Sequence, residues 1–263
     1  MKNVAIIAPS GCVDDFDEKK VNSFFIHHDL NVFIYPSCYK KYRYMAGDDN
    51  ERLKDIHDAF LNKTIDTIIA LRGGYGAIRL LDKIDYELIK ENKKTFVGFS
   101  DITLLLVSFY KRANLVSFHG KMAINGVINM DDKEFLNYKN SIENKIFNSN
   151  LKGGILWGGN LASIVSLFGS DPDTYIPDED IILFLEDINE PDYKIDRMFN
   201  QILRNIPLRE KIKGVIFGEF IGAGRYLEDI KEEFINSLCV PYENKSDIGH
   251  GESNIVVPFG IKI

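Results

Sequence analysis

The chain has 263 residues, 45% of them apolar and 27% charged, with a formal net charge of −7. That is enough apolar material for a sizeable core in one large domain or two modest ones, and too little contiguous apolar sequence for a membrane span, which needs roughly 20 residues. The negative charge lies in short mixed stretches with no basic stripe. This argues against nucleic acid or an anionic membrane surface as partner and favours a small molecule or peptide.

In chain order, short β-branched runs alternate with amphipathic stretches. Strands are predicted at 3–8, 31–35, 64–71 and 95–99, and helices at 17–30, 51–62, 77–84 and 102–113. Such alternation predicts an α/β fold with a parallel, helix-covered sheet, whose ligand crevice lies at the carboxyl ends of the strands. The opening apolar run is short and stops at Pro9, so it reads as a buried strand and not a signal peptide; cytoplasmic residence is the default expectation. From about 130 to 154 the sequence turns polar and Asn/Lys-rich. It is expected to link an N-terminal domain (1–140) to a smaller C-terminal α/β domain (154–263) through residues 141–153. In the second part, strands are predicted at 154–157, 181–185, 214–220 and 255–263, and helices at 161–168, 193–205 and 227–238. Cys12, Cys38 and Cys239 are far apart without C-x-x-C spacing, so neither a disulfide framework nor a zinc site is expected. No metal or other cofactor is anticipated.

Ser100 stands where the apolar run Thr95 to Phe99 breaks into helical periodicity. A hydroxyl there would project at the sheet's edge beside the free N–H groups of a helix start, a place suited to a nucleophile if a base takes its proton. The glycine-rich turn Arg72-Gly73-Gly74-Tyr75-Gly76 also follows a predicted strand. Amides of Gly74 and Asp101 could together hold an oxyanion, each donor contributing about 3 kcal/mol in comparable sites. The spacing matches neither a dinucleotide fingerprint nor a P-loop, which sets a nucleotide-binding oxidoreductase well behind. Glu186, Asp187 and Glu190 end an apolar strand. Taken singly, each reads as a solvated strand exit; Glu186 is the most inward candidate. His250 lies between two glycines on a loop, outside any periodic face, and ranks first as a general base, with His119 second; His27, His28 and His57 read as solvated or capping residues on helices. A binding module with Ser100 as a helix N-cap is the rival reading of a different class.

Taken together, Arg72-Gly-Gly-Tyr-Gly76, Gly98-Phe-Ser-Asp101, Ser117-Phe-His-Gly120, Gly158-Gly-Asn160, Leu185-Glu-Asp-Ile-Asn-Glu190 with Ile195-Asp-Arg197, and Gly249-His-Gly251 to Asn254 with Pro258 resemble the LD-carboxypeptidase family of serine peptidases. The blocks follow the family's order over nearly the whole chain. The resemblance implies an N-terminal Rossmann-like domain, a smaller C-terminal α/β domain and a homodimer. It places the nucleophile on Ser100, the acidic triad member on Glu186 and the histidine on His250. It further implies hydrolysis of an L-to-D amide, most often releasing the terminal D-alanine of murein tetrapeptides in cell-wall recycling; a neighbouring branch resembles the microcin C immunity peptidase. A carboxypeptidase must grip a terminal carboxylate, and Arg72, with Tyr75 beside it, is the substrate-binding candidate.

Overall fold

The computed structural model describes residues 1–124 and 126–263. Among the described residues ten strands form two sheets: β1 (Asn3–Ile7), β2 (Asn31–Ile34), β3 (Thr67–Ala70), β4 (Thr95–Gly98), β5 (Ser117–His119), β6 (Ile155–Asn160), β7 (Ile181–Ile188), β8 (Ile212–Ile221), β9 (Tyr242–Asn244) and β10 (Val257–Phe259). The helices are α1 (Glu18–His27), α2 (Asp49–Leu61), α3 (Tyr86–Glu91), α4 (Thr103–Ala113), α5 (Asp132–Asn144), α6 (Leu161–Val165), α7 (Asp192–Arg204), α8 (Ile206–Arg209) and α9 (Leu227–Leu238). None is long and apolar enough to cross a membrane among the described residues.

The first sheet has the order β2-β1-β3-β4-β5-β10, parallel except for β10. β1 and β3 are apolar and buried almost throughout, as expected of strands covered on both faces. Strand order reverses between β1 and β3, so the crevice belongs at their carboxyl ends. The turns after β1, β3 and β4 all open there, and they carry Ser10, the glycine-rich turn and Ser100. The second sheet, β6-β7-β8-β9, is fully parallel. Its cover includes α7, whose Ile195, Met198, Phe199 and Ile202 recur at helical spacing and are buried, with Phe199 stacked on Phe234 of α9 at 4.4 Å between ring centres.

The structure adds α8 and β9, which the sequence reading lacked, and differs from it at three further segments. Residues 77–84 form only a 3₁₀ turn at Ala77–Leu80, and the helix falls later, at α3. The polar stretch after 130 contains α5, started by a reciprocal cap in which Asp131 accepts from the Glu134 amide and Glu134 accepts from the Asp131 amide. Within the terminal segment Val257, Pro258 and Phe259 pair with the first sheet, antiparallel to His119, Phe118 and Ser117, before residues 260–263 bond to the edge of β6 in the second. Pro258 is tolerated because β10 is an edge strand. The consequence is functional: the segment carrying His250 must run from β8, where the Glu219 amide donates to Ile248 O (2.7 Å), across to the sheet that carries Ser100.

Candidate active site

Ser100 has φ +60°, in the left-handed region, directly after Phe99 in extended backbone. A non-glycine residue in this conformation stores on the order of 1 kcal/mol or more, so its surroundings must enforce it. The enforcing group is Asp101. Its buried carboxylate accepts the Ser10 hydroxyl at 2.6 Å and the Ala77 amide at 2.9 Å, tying together the turns after β1, β3 and β4. Burial raises the Asp101 pKa, and the bonds from Ser10 and Ala77 work against that rise. The second unit braces the same turn, with Ser163 Oγ donating to Ser100 O at 3.4 Å and the Asn160 amide donating to Thr103 Oγ1 at 3.2 Å. Within the glycine-rich turn it is Gly73 that lies against the nucleophile candidate: a Cβ there would stand 2.8 Å from Ser100 Oγ. Gly74, at φ +118°, faces Gly11 and Ser10 instead.

Glu186 lies near the end of the buried run of β7, one residue before Asp187, and is fully enclosed. Its Oε2 accepts from His250 Nδ1 at 2.7 Å, while His119 Nε2 stands 3.6 Å from its Oε1. Burial alone would raise the Glu186 pKa, but the two imidazoles outweigh that effect and hold it down at about 2. The carboxylate is therefore ionised. With Nδ1–H of His250 donating to it, Nε2 of that ring is left as an acceptor. Gly249, at φ +135°, lets the loop approach closely: a Cβ there would meet Glu186 Oε2 at 3.3 Å. Phe99 packs on the His250 ring at 4.7 Å and edge-on to His119 at 5.5 Å.

A cavity of about 280 Å³ joins these parts, lined among others by Arg72, Gly74, Ser100, Lys121, His250 and Asn254. Ser100 and His250, 150 positions apart in sequence, thus share one cleft with the glycine-rich turn. Asp101 lies beneath the cleft and Glu186 behind His250. Tyr75 is not among the lining residues; it is exposed, its ring edge-on to Tyr44 at 5.7 Å. Arg72 is exposed, with Nη1 donating to Cys12 O at 3.1 Å. His119 is completely buried and does not line the cleft. It is thereby removed as a competing general base, since no substrate proton can reach it.

Several contributors escaped sequence reasoning. Asp187 is buried and not a solvated strand exit: Asn160 Nδ2 and the Ala162 and Ile188 amides donate to it. Its burial still pushes its pKa up to about 6. Little in the local pattern marked it, because two of its three donors come from β6 and α6. Lys121 donates to Glu252 O at 2.7 Å, pinning the His250 loop. Asn254 is buried with neither polar side-chain atom bonded among the described residues, an amide left available to a ligand in the cleft. Asp196 and Arg197 are exposed on α7. Elsewhere, His27, His28 and Asp132 bring ligating atoms within 4.8 Å of one another, but none of them lines the cleft.

The fold and its relatives place the chain among the serine hydrolases. Residues 4–120 match the LD-carboxypeptidase N-terminal domain and residues 153–263 the LD-carboxypeptidase C-terminal domain, and the chain belongs to the LD-carboxypeptidase family. It is 31% identical to the probable murein peptide carboxypeptidase of Bacillus subtilis (strain 168), over 98% of this chain and 87% of that protein. It is 30% identical to the murein tetrapeptide carboxypeptidase of Pseudomonas aeruginosa, over 98% and 91%. Among solved structures, the muramoyltetrapeptide carboxypeptidase from Oxalobacter formigenes superposes with a TM-score of 0.85 at 27% identity, covering 98% of this chain and 93% of that one.

Proposed function

We propose that the chain is a serine LD-carboxypeptidase that releases the terminal D-alanine of murein tetrapeptides by cleaving the preceding L-to-D amide. The observation that carries this reading is the 2.7 Å bond between His250 Nδ1 and the enclosed Glu186 carboxylate, with His250 and Ser100 lining the same cavity. His250 Nε2 takes the Ser100 proton as Ser100 Oγ attacks the amide carbonyl, and Glu186 holds the imidazole in the required tautomer and stabilises it when it becomes charged. The tetrahedral oxyanion is held by the amides of Gly74 and Asp101. His250 then passes its proton to the departing D-alanine nitrogen, leaving an acyl-Ser100 ester. Water, deprotonated by the same imidazole, releases the shortened peptide. Arg72 supplies the cation for the terminal carboxylate, with Asn254 as a further contact to the peptide.

The murein peptide and murein tetrapeptide carboxypeptidases among the relatives support the murein substrate. On this reading the enzyme works on recycled muropeptides in the cytoplasm, as a homodimer. The test is to incubate the protein with an L,D-tetrapeptide and, separately, with an acyl-sulfamoyl adenylate, and to identify products by mass spectrometry. Release of D-alanine by wild type but not by Ser100→Ala supports the proposal. Cleavage of the adenylate alone would move the enzyme to the microcin C immunity branch, and binding without cleavage of either would leave a binding module.

A further inference from the structure

We propose that His119 is a positioning residue for the reaction: its ring holds the second oxygen of Glu186, so that the carboxylate stays ionised and aimed at His250. The proposal rests on the roles given above to Ser100, Glu186 and His250. It arises from an imbalance in how Glu186 is held. Oε2 has its bond from His250, whereas Oε1 has no hydrogen-bond partner among the described residues, although it is enclosed. The polar atom facing Oε1 is His119 Nε2 at 3.6 Å, and neither nitrogen of that ring has a hydrogen-bond partner among the described residues.

A fully buried imidazole with both nitrogens unsatisfied is a costly thing to keep in a core. Packing alone would be better served by phenylalanine, particularly since Phe99 and Phe184 already contact the ring edge-on at 5.5 and 5.4 Å. The ring's place is fixed from two sides, because His119 pairs with Gly98 of β4 and with Val257 of β10. It therefore reports to the nucleophile turn through β4 and to the end of the His250 segment through β10. In its Nε2–H tautomer His119 faces Oε1 with a proton, and a small closure of the gap on substrate binding makes a hydrogen bond. Other charged groups near the carboxylate are Asp187, beside it on β7, and Glu219 on β8, whose Cβ borders Gly249 along with Glu186. Both are acidic, so neither can replace the donor.

Two substitutions separate a donor from a filler. His119→Phe keeps bulk and apolarity but has no N–H, while His119→Gln keeps an N–H within reach of Oε1. For His119→Phe, kcat on the L,D-tetrapeptide is expected to fall about tenfold to a hundredfold, the range for losing one donor to a charged group, with KM within about twofold. His119→Gln is expected to recover most of that loss. Losing the donor makes the Glu186–His250 pair take up a proton more readily, so the acid limb of kcat/KM moves to higher pH in His119→Phe and not in His119→Gln. The same shift is read without turnover from the downfield ¹H NMR resonance of the His250 Nδ1–H and its titration midpoint. If wild type cleaves nothing, the proposed function fails, and the NMR midpoint still decides the role of His119. Wild-type kcat and an unmoved midpoint in His119→Phe would overturn the proposal, as would a His119→Gln variant no better than His119→Phe.

Discussion

The two halves of the cleft are held by different forces. On the N-terminal side Ser100 is held by backbone: a left-handed residue fixed by a buried carboxylate that gathers three turns, with Gly73 pressed against the side chain. On the C-terminal side His250 is held by charge, on a loop tied to an ionised glutamate in the core. Burial pushes the pKa of both carboxylates, Asp101 and Glu186, upward, but their partners leave them with opposite net shifts. Asp101 accepts from uncharged donors, and its pKa stays raised. Glu186 faces two imidazoles, and its pKa is lowered. One half should therefore be sensitive to shape and the other to pH.

The largest expected effect tests whether the two halves act together. Ser100→Ala should lower D-alanine release by about 10⁴-fold or more while thermal unfolding is nearly unchanged, because the removed hydroxyl makes no bond that holds the turn. Glu186→Gln should lower kcat by about 10³- to 10⁴-fold, by losing the ionised partner of His250. It also tests the charge side of the comparison. With a folded pKa of about 2 against an ordinary 4.5, Glu186 adds stability that is complete above 4.5 and lost as pH falls toward 2, on the order of 3 kcal/mol. Denaturant unfolding at several pH values should show that acid loss in wild type and a flatter profile in Glu186→Gln.

The shape side is tested by smaller changes. Gly73→Ala places a methyl carbon 2.8 Å from Ser100 Oγ and should cost about tenfold or more in kcat, with no matching shift of the pH profile. Asp101→Ala strands the Ser10 hydroxyl and the Ala77 amide; unfolding experiments should show a loss of about 1–3 kcal/mol, and activity should fall as Ser100 relaxes. The mildest is Arg72→Ala, which should raise KM severalfold with kcat held, since an exposed cation contributes to binding more than to the chemical step. A shifted pH profile in Gly73→Ala, or an unshifted acid stability in Glu186→Gln, would break the division into shape and charge.

Some of this was legible in the chain. Alternating apolar runs and amphipathic stretches made the α/β fold readable, and Ser100 stood out because an apolar strand ended at a serine before a helix. The capping pattern Asp131 to Glu134, followed by Phe135, Tyr138 and Ile142, also lay in the sequence, yet the polar composition around it concealed α5. What could not be read locally was burial of polar groups. Asp187 and His119 look like ordinary strand-end residues until β6, β7 and β10 enclose them. Tyr75 looked like a cleft residue because it follows Gly74, but its side chain leaves the turn on the outer side, toward Tyr44.

The sequence by itself determined which residues could do the chemistry, because a serine at a strand end, a histidine between glycines and an acid after an apolar run are each set by neighbours a few positions away. Only the tertiary structure decided that they meet. The closing strand crosses from the second sheet to the first, and this carries His250 over the Ser100 turn and onto Glu186. That crossing depends on long-range strand pairing between β10 and β5, and local propensity holds no record of which edge a strand will join.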